Sequence, residues 1–193
     1  MEWERNYKWN AHQTWNEELN QEEYRSLLIA GQYLEISERA VRIESRTNLL
    51  FSFEKMAIRD AVKSIAGACS FATGLYYFLH GSKSDEERFH DWCAALETLP
   101  RKRTRVVTWP LATVFAFLAL PSRHIFLKPM VTRAAAEQYD FRFQYKPHLS
   151  WETYDSLLKF GGRIERDLRD LNPKDMIDIQ SFIWLQGSDE YEE

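Results

Sequence analysis

The chain has 193 residues, of which 45% are hydrophobic and 28% charged, and its formal net charge at pH 7 is −4. These values are typical of a globular chain with one domain, and they exclude a disordered protein, a fibrous repeat and a small disulfide-stabilised scaffold. The two cysteines, Cys69 and Cys93, lie in apolar sequence, and we expect two free thiols in a reducing cytoplasm.

Three tryptophans recur every six residues near the N-terminus: Trp3, Trp9 and Trp15. A helix would spread rings at this spacing around its axis instead of collecting them on one face. We therefore predict an irregular Trp-rich arm over residues 1–19, which docks its indoles on the core or on a partner. A single domain over 20–187 and an acidic tail over 188–193 complete the predicted organisation.

Six to seven helices are predicted from capping residues and from apolar residues spaced three and four apart. The Ser84–Glu87 pair is a capping box, Ser150 is a further N-cap, and Asn172 before Pro173 predicts the start of the last helix. The predicted helices cover about 20–45, 48–80, 84–99, 110–120, 132–139, 151–171 and 173–185.

Two short strands are predicted between these helices, over 124–128 and 141–146. In the second segment aromatic residues alternate with basic and polar residues, which is the period of a strand. The expected fold class is therefore α+β, mainly α-helical.

The uncharged run over 106–122 follows basic residues, as membrane spans often do. Pro110 and Pro121 limit its helix to about 11 residues, or roughly 16 Å, whereas a hydrocarbon core is about 30 Å thick. We therefore predict a buried core helix and no membrane association.

The middle of the chain is basic although the whole chain is acidic. Residues 100–148 hold nine lysine and arginine residues against two acidic ones, a net charge of +7. This segment predicts contact with an anionic partner such as a nucleic-acid backbone, with Trp109 or Tyr145 available for base stacking. Eight side chains are candidates for phosphate contact: Arg101, Arg103, Arg105, Arg123, His124, Lys128, Arg142 and Lys146.

Strong catalytic motifs are missing from the sequence, which has no glycine-rich phosphate loop, no nucleophile elbow and no zinc-ligand spacing. We predict no cofactor and no bound metal for the leading interpretation. Weak catalytic candidates are His124 and the acidic residues Asp175 and Asp178, which lie three residues apart at the start of the last predicted helix. An alternative function is therefore a metal-dependent hydrolase or nuclease that uses these two carboxylates.

Three sequence blocks resemble those of a group of uncharacterised bacterial proteins. They are Thr108-Trp-Pro-x-Ala-Thr113, His124-x-Phe-Leu-Lys-Pro129 and Asp175-x-x-Asp-x-Gln-Ser-Phe-x-Trp184. The resemblance extends from about Asn48 to Tyr191, and relatives of these blocks occur beside DNA-restriction or defence-type modules. It implies a DNA- or RNA-linked role for the basic segment, and it assigns no catalytic residue.

The leading hypothesis is a cytoplasmic protein that binds nucleic acid, or assists its processing, through residues 100–148. A second hypothesis is a protein-interaction module in which the Trp-rich arm and the acidic tail engage a partner or another copy of the chain.

Overall fold

The computed structural model describes residues 2–100 and 107–188, with side chains from residue 4 onward. These residues form ten α-helices and one short 3-10 helix, with no β-strand among them. The helices are α1 (Glu2–Glu18), α2 (Gln21–Ile29), α3 (Tyr33–Ser45), α4 (Ser52–Ala61), α5 (Ile65–His80), α6 (Asp85–Glu97), α7 (Trp109–Ala119), α8 (Pro129–Gln138), α9 (Trp151–Asp167) and α10 (Met176–Gly187), with the 3-10 helix η1 (Arg169–Leu171) after α9. The predicted α+β class is therefore wrong, and the described fold is all-helical.

Residues 2–18 form helix α1 instead of an irregular arm. Its buried side chains, Glu4, Lys8, Ala11 and Trp15, are spaced four, three and four residues apart and form one face. The tryptophan spacing was misleading because the buried face of α1 does not require the tryptophans to lie on one side. It contains Trp15, but its other positions include the charged residues Glu4 and Lys8.

Two long predicted helices are each divided in two. The first divides at Gly31, whose φ of +70° is a left-handed conformation that glycine adopts readily. The second divides before Ser64, which caps α5 by accepting a hydrogen bond from the Gly67 N–H. At Gly67 a Cβ would lie 2.0 Å from the Ala61 carbonyl oxygen, so the tight junction between α4 and α5 requires a glycine there.

Helix α7 lies at the centre of the hydrophobic core, and all eleven of its residues are buried. Thr108 caps it and Pro110 lies in its first turn, as the sequence predicts. It packs against α1, α3, α5 and α6. No helix in the described ranges has the length and apolarity needed to cross a membrane.

The segment 124–128 has no regular secondary structure and pairs with no strand in the described chain; residues 124–127 are buried and Lys128 is half-buried. Its backbone hydrogen bonds go elsewhere: the Leu127 N–H donates to Thr113 Oγ1 at 3.0 Å. The predicted strand is wrong because β-propensity reflects how well side chains pack on a half-buried surface, whereas a strand also needs a neighbouring strand to pair with.

The segment 141–146 is not a strand either: the Phe143 N–H donates to the Phe141 carbonyl at 2.8 Å and the Tyr145 N–H to the Phe143 carbonyl at 3.1 Å, the hydrogen bonds of consecutive γ-turns. Its rings are half-buried while Arg142 and Gln144 are exposed, so the alternation predicted which side chains face outward. The Gln144 N–H donates to Ser156 Oγ at 3.0 Å, and the Lys146 N–H donates to Thr153 Oγ1 at 2.9 Å. The hydroxyls of Ser156 and Thr153 on α9 thus accept the hydrogen bonds that a neighbouring strand would accept.

Candidate nucleic-acid interface

The predicted phosphate contacts do not form one patch. Arg101, Arg103 and Arg105 lie outside the described residues. The other five fall into distinct environments: Arg123 and His124 near α6, Lys128 near α1 and α10, Arg142 beside α8, and Lys146 beside α9.

His124 is buried in the aromatic core. Its Nδ1 lies 2.8 Å from the Tyr154 hydroxyl, and its ring centroid lies 4.8 Å from that of Phe78. Burial, with smaller contributions from Arg123 and Arg88, lowers the pKa of His124 to about 3. A neutral, buried imidazole presents no charge to a phosphate, so the geometry gives no support to His124 as a phosphate contact or as a catalytic group at a surface site.

The neighbouring Arg123 is half-exposed and engaged with a carboxylate. Its Nη2 lies 3.3 Å from Asp85 Oδ1, and Arg88 pairs with the same oxygen. Lys146 likewise forms an ion pair with Glu152. Lys146 therefore reaches solvent paired one-to-one with a carboxylate, whereas Arg123 shares the single negative charge of Asp85 with Arg88.

The two predicted stacking residues differ in exposure. Trp109 is buried, and its indole N–H donates to the Lys146 carbonyl at 2.8 Å. Tyr145 is half-exposed and carries a guanidinium over its ring, with Arg133 Cζ 5.2 Å from the centroid. Tyr145 thus retains the exposure that stacking needs, whereas Trp109 has a structural role.

A groove of about 390 Å³ runs between α8 and the segment that follows it. We call it the α8 groove. Arg133, Arg142 and Phe143 line it together with the carboxylates of Glu137 and Asp140. It therefore brings Arg142, a predicted contact, next to Arg133, which belongs to the basic segment but was not among the predicted contacts.

The turn at the end of α8 determines the shape of this groove. Asp140 has a φ of +48°, and the Phe141 N–H donates back to the Ala136 carbonyl at 2.8 Å. This is the hydrogen-bond pattern of a Schellman helix end, with aspartate where glycine is commonest. The turn directs the segment 141–146 back along α8, so that Arg133 and Arg142 line the same groove.

Asp175 and Asp178 have structural partners. Asp175 is the N-cap of α10 and accepts a hydrogen bond from the Ile177 N–H at 2.8 Å, while the predicted cap Asn172 lies in a left-handed turn before the helix. Asp178 accepts from the Lys174 N–H at 2.8 Å and from Arg5 Nε at 2.5 Å. The described part of the chain contains no group of three or more histidine, cysteine or acidic side chains placed to hold a metal ion.

Comparison of the chain with protein-family models, with curated protein sequences and with solved structures gave no match.

Proposed function

We propose that the protein binds single-stranded nucleic acid along the α8 groove. Arg133 and Arg142 would contact phosphates, and Tyr145 would stack on a base. The observation that carries the proposal is the Arg133–Tyr145 pair, which places a guanidinium 5.2 Å from a half-exposed ring beside a second arginine.

The alternation along 141–146 supports a single strand as the partner. The half-exposed Tyr145 can stack on any base, because every base has a face that can stack, whereas Phe141 is already stacked on Phe160 with ring centroids 4.8 Å apart. Duplex recognition usually inserts a helix or ribbon into a groove. The surface residues of the α8 groove fit a single strand better.

The mixed charge of the groove limits the affinity that we expect. Glu137 and Asp140 face the same space as the two arginines. Binding should therefore be of moderate strength and should weaken steeply with salt, because phosphate contacts release counterions.

The test is fluorescence anisotropy of labelled single-stranded RNA and DNA oligonucleotides with the whole chain, titrated with salt. The double variant Arg133→Gln/Arg142→Gln should reduce the slope of log affinity against log salt by about 1.4, since each phosphate contact to a single strand contributes about 0.7. Tyr145→Leu should weaken binding by about 1–3 kcal/mol through lost stacking.

A matched control removes the same charge elsewhere. Arg25 on α2 and Arg59 on α4 are exposed, and the double variant Arg25→Gln/Arg59→Gln should leave the salt slope unchanged. No binding of any oligonucleotide at low salt, or equal losses in the two double variants, would overturn the proposal.

A further inference from the structure

Four charged side chains line the α8 groove without pairing with one another: Arg133, Glu137, Asp140 and Arg142. All four are exposed. Among the described residues, none of them forms an ion pair or a side-chain hydrogen bond. The groove therefore keeps two groups that donate hydrogen bonds and two groups that accept them available for a ligand.

The two carboxylates are unexplained if the groove contacts phosphate alone. Arg133 and Arg142 suit the phosphates of a strand, because a guanidinium donates two parallel hydrogen bonds to a phosphate. Glu137 and Asp140 repel phosphate, and an ionised carboxylate can only accept hydrogen bonds. A ligand that satisfies both kinds of group carries N–H donors as well as phosphates, and the bases of a single strand provide such donors.

The arrangement of donors on the bases favours guanine. Guanine presents two N–H donors side by side on its Watson–Crick edge, N1–H and the N2 amino group, and the two oxygens of one carboxylate can accept both. Adenine and cytosine have a ring acceptor beside their amino group, and uracil has one N–H between two carbonyls. On each of these three bases an acceptor would therefore face a carboxylate oxygen.

Asp140 is the better placed of the two carboxylates. It lies in the turn that joins α8 to the segment 141–146, and its carbonyl accepts a hydrogen bond from Arg163 Nη1 at 3.4 Å. Its side chain is shorter than that of Glu137, so less conformational entropy is lost when it is held by a ligand. The φ of +48° costs an aspartate more than a glycine, and backbone held at such a cost is common at binding sites.

We propose that the α8 groove recognises guanine in a single strand through the carboxylate of Asp140, an inference that rests on the proposed nucleic-acid binding. Asp140 accepts hydrogen bonds from the guanine N1–H and N2 amino group. Arg133 and Arg142 contact the phosphates. Glu137 does not contact the base and acts only through its charge.

The test is fluorescence anisotropy of the whole chain with labelled oligouridine strands whose central base is guanine, hypoxanthine or adenine. All three are purines of similar stacking area, so the comparison isolates the hydrogen bonds. The guanine strand should bind at least about fivefold more tightly than the adenine strand, which is the discrimination that a two-hydrogen-bond contact to one base provides. Hypoxanthine keeps N1–H and lacks the N2 amino group, so its strand should bind with an intermediate affinity.

Two variants locate the recognition. Asp140→Gly removes the carboxylate and preserves the turn, because glycine is the commonest residue at this position of a helix end, and it should bind the guanine and adenine strands equally. Glu137→Gln is the matched control, since it removes the same charge from the same groove. It should tighten binding of all three strands by a similar factor and keep the preference for guanine.

The outcomes separate this inference from the proposed function. Binding that weakens with salt but is equal for guanine and adenine would overturn the guanine inference and leave the proposed function intact. No binding of any strand at low salt would overturn both. A guanine preference retained in Asp140→Gly would also overturn the inference. Should that variant not fold, equal binding of the guanine and hypoxanthine strands by wild type would overturn it.

Discussion

The hydroxyl of Tyr154 lies 2.8 Å from Nδ1 of His124, a hydrogen bond that connects α9 to the segment 124–128. Tyr154 therefore fixes the imidazole from its position on α9. The ring of Tyr154 stacks on Phe89 with centroids 4.7 Å apart, which places this polar connection inside the core.

Replacing Tyr154 with phenylalanine should destabilise the fold by about 1–3 kcal/mol. The change leaves Nδ1 of His124 without a partner in the core, and an unpaired buried group retains its desolvation cost. Urea unfolding followed by circular dichroism measures the difference. Tyr77→Phe on the exposed face of α5 is the control and should stay within about 0.5 kcal/mol of wild type. Equal stability of Tyr154→Phe and wild type would contradict a stabilising hydrogen bond between Tyr154 and His124.

The buried position of His124 also predicts a pH effect. Its pKa, lowered to about 3 mainly by burial, is below the value of about 6.5 in an unfolded chain. As the pH falls, His124 therefore takes up a proton in the unfolded state before it does in the folded state. The contribution of His124 to stability should be complete above pH 6.5 and should fall by about 1.4 kcal/mol per pH unit between pH 6.5 and about pH 3. NMR of the imidazole signals, assigned with His124→Gln, should show His124 neutral at pH 5. A His124 midpoint near 6.5 in the folded protein would contradict the burial.

Capping residues predicted where helices begin better than residue patterns predicted how the segments between the helices pair. The cap of α6 at Ser84 and that of α9 at Ser150 were predicted correctly, because capping depends on residues within one turn. The two strands were predicted wrongly, because the partner of an extended segment is far away in sequence. For Gln144 that partner is Ser156 of α9.

The buried charges of α1 and the α8 groove show the same limit. Glu4 and Lys8 are four residues apart, a spacing that is typical of an exposed helix pair. They are buried because α10 packs on α1 and places Ser181 against Lys8, and no local pattern encodes this contact. The α8 groove was partly predictable, since the alternation around Arg142 was visible, but its contact with Arg133 depends on the turn at Asp140.

Glu44 predicts a pH effect of the opposite sign. Burial raises its pKa to about 7, and its Oε2 has no partner among the described residues, although Lys55 Nζ lies 3.8 Å from Oε1. As the pH rises, the Glu44 carboxyl loses its proton in the unfolded chain before it does in the folded protein. The stability that the protonated Glu44 gives the fold below pH 4.5 is therefore lost as the pH rises to about 7.

The free energy of unfolding of Glu44→Gln, relative to that of wild type, should therefore increase by up to about 3 kcal/mol from pH 4.5 to pH 8. Urea unfolding at several pH values measures this difference. The exposed Glu38→Gln on the same helix should show a constant offset from wild type. A constant offset for Glu44→Gln as well would contradict the raised pKa.

Two glycines in helices predict stability changes of opposite sign. At Gly74 a Cβ would lie 2.5 Å from the Ala95 Cβ and 3.2 Å from Trp92, so Gly74→Ala should force α5 and α6 apart and cost about 1–3 kcal/mol. At Gly162 the nearest atom, on Arg166, is 3.7 Å away, so Gly162→Ala should stabilise α9 by about 0.5–1 kcal/mol. Thermal unfolding of the two variants distinguishes them, and a Gly74→Ala variant at least as stable as wild type would contradict the packing between α5 and α6.

Removing a carboxylate from the α8 groove should strengthen oligonucleotide binding. Glu137 faces the same space as Arg133 and Arg142, so its charge both neutralises the arginines and repels phosphate. Glu137→Gln should tighten binding of a single-stranded oligonucleotide about threefold at low salt, and the gain should shrink at high salt because exposed charges are screened. Anisotropy titrations at two salt concentrations measure both effects.

Glu38→Gln on α3 changes the net charge equally and should leave affinity unchanged, because its charge lies on another helix. Equal tightening in the two variants would attribute the effect to net charge and contradict a site in the groove.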